Sequence, residues 1–133
     1  MSDGGHILLI EDNRSDAHVI QELIADTGLD SRVTWLCNGE KAINYFDDGN
    51  TAGLIILDLN LPRVNGHAVM AYLNENGKDI PVLVMTGSSS PRDIERAQAA
   101  GAVCYIIKPM TIGEMDETTA VLKKMIVRHG SRR

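Results

Sequence analysis

The chain has 133 residues, of which 44% are hydrophobic and 23% charged, and its formal net charge is −5. This composition is typical of one folded domain, and the acidic balance disfavours nucleic acid as a ligand. The N-terminus lacks the basic region of a signal peptide, and no apolar run reaches the roughly 20 residues that span a bilayer. We therefore expect a cytoplasmic protein that binds neither nucleic acid nor membrane.

Five short apolar runs alternate along the chain with segments of helical periodicity. The runs predict strands at 7–10, 33–37, 54–57, 82–85 and 103–107, and the segments between and after them predict helices at 15–27, 40–48, 67–76, 91–100 and 112–128. Several runs are apolar at consecutive positions, which is typical of strands buried on both faces of a parallel sheet. The pattern predicts a (βα)5 α/β fold with right-handed crossovers.

Polar residues follow four of the five predicted strands. Glu11 and Asp12 follow the first, Asp58 the third, Thr86 the fourth and Lys108 the fifth. In open parallel sheets, ligands bind outside the carboxyl ends of the strands. Three carboxylates gathered there repel one another unless a cation such as Mg²⁺ intervenes. A carboxylate nucleophile, a magnesium site, a lysine and a hydroxyl together predict phosphoryl transfer.

Each of these residues also has an ordinary structural explanation. Asp12 suits a helix cap, Thr86 is a β-branched strand residue, and Lys108 resembles any solvated lysine. Their placement at successive strand ends favours the functional interpretation.

Four segments resemble the receiver domain of two-component response regulators: ILLIEDN, LIILDLNLPRVNG, VLVMTGSS and GAVCYIIKP. The resemblance implies a flavodoxin-like, doubly wound sheet of strand order 2-1-3-4-5. It also implies that Asp58 accepts a phosphoryl group from a sensor histidine kinase or a histidine phosphotransfer protein.

The same resemblance implies a metal site for Mg²⁺ (or Mn²⁺). Asp12, Asp58 and the backbone carbonyl of Asn60 would bind the ion, with Glu11 helping through water. The acidic pair is Glu-Asp where many family members have Asp-Asp.

The resemblance further assigns roles to the fourth and fifth strand ends. Thr86 and Lys108 would hold the phosphoryl oxygens, and Thr86 and Tyr105 would form the conformational switch, although Tyr105 also suits an ordinary core position. Asn60 and Ser88 would tune the reaction. The peptide bond before Pro109 is expected to be cis.

Three other functions are compatible with parts of this pattern. A haloacid-dehalogenase-type phosphatase needs a second acid two residues after the nucleophile, where this chain has Asn60. A flavodoxin-type electron carrier needs a hydroxyl- and glycine-rich phosphate loop, where this chain has Glu11 and Asp12. A receiver-like module that works without phosphorylation is disfavoured by the complete set of site residues.

We expect one receiver domain over 1–133, with its core at about 6–128 and no output domain, that catalyses only its own phosphorylation and dephosphorylation. EDNRSDAHVIQELI and DLNLP resemble small regulators partnered with phytochrome-type kinases. The output is expected to reach an unidentified downstream protein, or a second copy through a homodimer face on the fourth helix, last strand and last helix.

Overall fold

The computed structural model describes residues 5–130 as one five-stranded parallel sheet in the order β2-β1-β3-β4-β5, with helices on both faces. The strands are β1 (His6–Ile10), β2 (Arg32–Leu36), β3 (Leu54–Leu57), β4 (Val82–Thr86) and β5 (Cys104–Ile107). The helices are α1 (Arg14–Asp26), α2 (Gly39–Asp47), α3 (Gly66–Glu75), α4 (Pro91–Ala99) and α5 (Ile112–Met125), and a π-helical turn (Ile126–Gly130) follows α5.

The predicted fold and strand order are confirmed. The boundaries of β3 are as predicted, and the other element boundaries differ by at most three residues; the largest difference is at α5, where a π-helical turn replaces the end of the predicted helix. The ends of the predicted 1–133 domain, residues 1–4 and 131–133, lie outside the described residues. No helix within residues 5–130 is long and apolar enough to cross a bilayer.

The core consists of two apolar layers, one on each face of the sheet. Alternate strand residues serve opposite faces, so Leu8 and Ile55 pack with α2, α3 and α4, whereas Ile7 and Ile56 pack with α1 and α5. This explains the uninterrupted apolar runs, because both faces of each central strand are buried. Full burial of one such side chain contributes about 1.5–3 kcal/mol to folding.

Every helix begins with a side chain that caps its N-terminus. In each case the cap accepts a hydrogen bond from the N–H three residues later, and the caps are Asn13, Asn38, Asn65, Ser90 and Thr111. Such caps stabilise a helix by about 1 kcal/mol each. They fix the helix starts at the edge of the sheet where the strands end, which is the edge where the site lies.

Gly66 sets the distance between the start of α3 and the end of β3. A Cβ atom there would lie 2.5 Å from the carbonyl oxygen of Asp58 and 2.6 Å from the Cα of Leu59. The N–H of Gly66 also donates to the carbonyl of Leu59 at 2.9 Å. Only glycine allows this approach, which folds the β3–α3 loop tightly around Asp58.

Candidate functional site

The carboxyl ends of four strands bring the predicted polar residues together. β1 and β3 remain in register to their last residues, so Glu11 and Asp58, which follow them, leave the sheet side by side. The N–H of Lys108 donates to the carbonyl of Thr86 at 2.8 Å, so β4 and β5 also end together. Strand order thus joins distant segments of the sequence into one site.

Lys108 is the cation at the centre of this site. Its Nζ lies 2.9 Å from Oε1 of Glu11, 2.8 Å from Oδ2 of Asp16 and 3.0 Å from Oδ2 of Asp58. Burial by itself would lower the pKa of Lys108, but hydrogen bonds to Asp16, Glu11 and Asp58 raise it well above its ordinary value. One permanently charged ammonium group is therefore shared by three carboxylates.

Asp16 is a member of this site that the sequence did not single out. It lies in the first turn of α1, four residues after Asp12, and its side chain is 43% exposed. An acidic residue one helical turn beyond a strand end points back toward that edge, which is a usable signal. Acidic residues at helix starts are, however, equally explained by their favourable interaction with the helix dipole.

Glu11, Asp12 and Asp58 form a cluster that fits a divalent metal. One oxygen atom of each lies within 4.8 Å of the others. Glu11 and Asp58 are buried, whereas Asp12 is exposed. Oε1 of Glu11 is buried, and within residues 5–130 its partner is the Lys108 ammonium group, 2.9 Å away, with no further hydrogen bond. The excess negative charge, the all-oxygen donor set and this available oxygen suit a hard cation such as Mg²⁺ or Mn²⁺.

Asp58 is held in its ionised form by hydrogen bonds. Burial by itself would raise the pKa of Asp58, but bonds from Lys108, from the N–H of Asn60 at 3.1 Å and from Thr86 outweigh burial and lower the pKa below its ordinary value. Thr86 is fully buried. A carboxylate that stays ionised at neutral pH can act as a nucleophile.

The two residues expected to tune the reaction have different surroundings. Asn60 is exposed and donates its N–H to Oδ1 of Asp58, so its backbone lies beside the carboxylate cluster. Ser88 lies in the β4–α4 loop (residues 87–90) and donates its hydroxyl to Oδ2 of Asp93 at 2.6 Å. Ser88 therefore contacts α4, and its link to Asp58 runs through Thr86, whose Oγ1 lies 3.5 Å from the N–H of Ser88.

Tyr105 contacts the same loop from β5. Its ring is partly buried against the layer that contains α2, α3 and α4, and its hydroxyl donates to the carbonyl of Ser88 at 2.9 Å. Burial raises the pKa of Tyr105, so the hydroxyl keeps its proton as a donor. Thr86 and Tyr105 are thus connected through the β4–α4 loop: Thr86 immediately precedes the loop, and Tyr105 binds to it.

The prediction of a cis bond before Pro109 is wrong, because the Lys108–Pro109 bond is trans. The trans isomer is lower in energy by about 0.5–1 kcal/mol at X–Pro bonds. The physical reason for expecting a cis bond is that it forms a tight turn, which would direct Lys108 toward the site. The trans backbone already places Nζ within 3.0 Å of Asp58, so no such turn is required.

Glu11 is expected to make the metal-free protein less stable as the pH rises from about 4.5 to about 7. Burial, only partly offset by the hydrogen bond from Lys108, raises the pKa of Glu11 from 4.5 to about 7. A carboxyl group whose pKa is higher in the folded than in the unfolded protein stabilises the fold below its unfolded-state pKa. That stabilisation is lost as the pH rises through its folded-state pKa, and for Glu11 the loss is at most about 3 kcal/mol. Urea unfolding in the presence of a chelator at pH 5 and pH 7.5 measures this difference in the free energy of unfolding.

The control for this pH dependence is Glu11→Gln, which should flatten the stability profile in that window. The lowered pKa of Asp58 acts at lower pH and the raised pKa of Lys108 acts at higher pH, so neither interferes. An equal slope in wild type and Glu11→Gln would contradict the assignment to Glu11.

The fold and the acidic cluster at its strand ends are consistent with a signalling receiver domain. The response regulator receiver domain family matches residues 7–120, and the chain belongs to that family, whose members act in phosphorelay signalling. The phosphatase and flavodoxin alternatives are thereby set aside.

Two relatives are similar to this chain over most of their length. The probable methanogenesis regulatory protein FilR2 of Methanothrix harundinacea (strain 6Ac) is 34% identical over 125 residues, which cover 89% of this chain and 81% of that protein. Response regulator Rcp1 of Synechocystis sp. (strain ATCC 27184 / PCC 6803 / Kazusa) is 30% identical over 117 residues, which cover 82% of this chain and 80% of that protein.

Two solved structures share the fold over nearly their full lengths. The Mn²⁺-bound form of Rcp1 aligns with a TM-score of 0.80 at 26% identity, covering 90% of this chain and 92% of that one. The phosphorylated cyanobacterial phytochrome response regulator RcpA aligns with a TM-score of 0.77 at 29% identity, covering 92% and 91%. This chain is therefore similar to phytochrome-associated response regulators.

Proposed function

We propose that Asp58 is the phosphoacceptor of this receiver. The observation that carries the proposal is its set of partners: Asp58 is a buried, ionised strand-end carboxylate that contacts the Lys108 ammonium, accepts from the N–H of Asn60 and lies in the acidic cluster. Asp12 is exposed and Glu11 has a raised pKa, so neither combines these properties.

In the proposed reaction, an Asp58 oxygen forms a bond to phosphorus while the N–P bond of a phosphohistidine breaks and its electron pair stays on the imidazole nitrogen. The Lys108 ammonium group neutralises part of the charge on the transferred oxygens, and the Thr86 hydroxyl donates a hydrogen bond to them. Asp12, Asp58 and the carbonyl of Asn60 would hold Mg²⁺, with Glu11 acting through water. The ion would supply positive charge against the phosphoryl oxygens. The chain thus catalyses only its own phosphorylation and dephosphorylation.

The donor we propose is a sensor histidine kinase or histidine phosphotransfer protein, of phytochrome type. Support comes from the similarity to Rcp1 and RcpA. Such donors present their phosphohistidine in the cytoplasm, where this protein is proposed to act.

The proposed output is a change around Thr86 and Tyr105 that is passed to a downstream protein or a second copy. The surface beside β5 supports this, because Ile107, Met110 and Ile112 are 42%, 87% and 79% exposed. A homodimer through α4, β5 and α5 would cover part of this apolar surface.

The proposal is tested by incubation with a small-molecule phosphodonor and Mg²⁺, followed by borohydride reduction and mass mapping of the modified residue. The expected result is a single phosphoryl group on the peptide that contains Asp58. An adduct on another residue, or none under conditions in which the protein is folded, would contradict the proposal. The second result would favour a receiver that works without phosphorylation.

Magnesium should bind weakly and be detectable through Trp35, the single tryptophan of the chain. Its indole N–H donates to the carbonyl of Glu11 at 2.7 Å, next to the acidic cluster. Asp12→Ala should weaken Mg²⁺ binding by at least about tenfold and abolish phosphorylation, because it removes one of few protein ligands. Fluorescence titration with Mg²⁺ measures the affinity.

Asp79→Ala is the matched control for Asp12→Ala, since it removes one negative charge from an exposed position between α3 and β4. It should bind Mg²⁺ as wild type does. Phosphorylation of Asp12→Ala that persists in excess chelator would refute the metal role.

A further inference from the structure

A second group of polar contacts joins the starts of α3 and α4. Nε2 of His67 lies 3.1 Å from Oδ1 of Asp93, and the two side chains are only 11% and 28% exposed. The other carboxylate oxygen of Asp93 accepts from the hydroxyl of Ser88 at 2.6 Å. Hydrogen bonds from Ser88 and His67 lower the pKa of Asp93, so the carboxylate is ionised. A single carboxylate thus connects α3, α4 and the β4–α4 loop.

The β4–α4 loop is held by hydrogen bonds at Ser88 and Ser90. Ser90 donates its N–H to the hydroxyl oxygen of Ser88 at 3.2 Å and caps α4 by accepting from the N–H of Asp93 at 3.4 Å. Tyr105 on β5 donates its hydroxyl to the carbonyl of Ser88. Thr86 immediately precedes this loop, and hydrogen bonding by its hydroxyl is one of the causes that lower the pKa of Asp58. The loop is therefore the segment through which contacts with α3 and α4 can act on Thr86.

The order of the contacts indicates positioning rather than catalysis. In a catalytic triad, the histidine lies between the hydroxyl and the carboxylate and takes the hydroxyl proton. Here Asp93 lies between Ser88 and His67, so His67 cannot activate Ser88. The arrangement can only hold the loop against the two helices.

We propose that His67 and Asp93 are positioning residues that hold the β4–α4 loop where Thr86 reaches Asp58, and so keep the acceptor site ready for a phosphoryl group. This inference rests on the proposed function of Asp58. A ligand that binds only the ready fraction has its apparent dissociation constant raised as that fraction falls. Release of the loop should therefore weaken binding of a phosphoryl analogue without altering the metal cluster.

The test uses beryllofluoride with Mg²⁺, followed by Trp35 fluorescence, in wild type and three variants. His67→Ala removes one hydrogen bond to Asp93, and Asp93→Asn leaves one acceptor oxygen where His67 and Ser88 need two. His67→Gln keeps an N–H donor near the position of Nε2. We expect the first two variants to weaken beryllofluoride binding by about three- to tenfold, the range that loss of one net hydrogen bond predicts.

His67→Gln should restore most of the affinity, and Mg²⁺ affinity measured alone should stay unchanged in all three variants. Amide hydrogen exchange at residues 86–90 should be faster in His67→Ala and Asp93→Asn than in wild type. The matched control is His18→Ala: His18 also pairs with a carboxylate, Glu22 at 3.4 Å, but within α1 and on an exposed surface. It should behave as wild type.

Unchanged beryllofluoride affinity in His67→Ala and Asp93→Asn would overturn the positioning role. A loss in His67→Gln as large as that in His67→Ala would also overturn it, because the hydrogen bond would then be irrelevant. Absence of beryllofluoride binding to the wild-type protein would instead refute the proposed function of Asp58. The two failures are thus distinguishable.

Discussion

Asp58→Asn is expected to carry no phosphoryl group after incubation with a small-molecule donor and Mg²⁺, whereas the wild-type protein carries one. The amide is a poor nucleophile and removes a charged oxygen from the acidic cluster. Intact-protein mass spectrometry measures the adduct directly. Because Asn keeps an acceptor oxygen for the N–H of Asn60, the β3–α3 loop should retain its conformation.

Asp16→Asn is the informative comparison for Asp58→Asn. Asp16 also contacts Nζ of Lys108, at 2.8 Å, but it lies on α1 and outside the acidic cluster. This variant should still accept one phosphoryl group, at an altered rate, because Lys108 loses one of its three partners. A full adduct on Asp58→Asn, or its loss only in Asp16→Asn, would show that the acceptor has been assigned to the wrong carboxylate.

Lys108→Met is expected to destabilise the metal-free protein by about 3 kcal/mol or more at pH 8, the lower end of the cost of breaking a buried ion pair. The substitution leaves three carboxylates without their shared ammonium group, two of them almost fully buried. The loss should be smaller at pH 5, because Glu11 can then take up a proton. Urea unfolding in chelator at the two pH values measures the difference.

Two additions should restore part of the stability of Lys108→Met. Mg²⁺ supplies positive charge to the same carboxylates, and a second substitution, Glu11→Gln, removes one of the repelling charges. Lys41→Met, at an exposed position on α2, is the control and should change stability by less than about 0.5 kcal/mol. Equal losses for Lys108→Met at pH 5 and pH 8 would contradict this electrostatic explanation.

The contacts missed from the sequence are side-chain contacts between separate elements. Lys108 and Asp16 are 92 positions apart in the chain, and His67 and Asp93 are 26 apart. Each of these four residues lies near a helix or strand end, where polar and charged residues are common. No sequence pattern therefore distinguishes either pair. The cis prediction at Pro109 came from the family resemblance, and the turn reaches the site without it.

The sequence by itself determined the elements, the sheet and the edge where polar residues gather. Burial on both faces of a central strand requires uninterrupted apolar residues, and such a strand must end where the first charged residue appears. Those constraints are local and leave a recognisable pattern, an apolar run that ends in a charged residue, as at LIILD. The tertiary structure alone decided how charges are shared: Lys108 with Glu11, Asp16 and Asp58, and Asp93 with His67 and Ser88. Hydrogen bonds and ion pairs require their atoms to be placed to within a few tenths of an ångström. Packing in the folded protein sets these distances, and no pattern in the sequence specifies them.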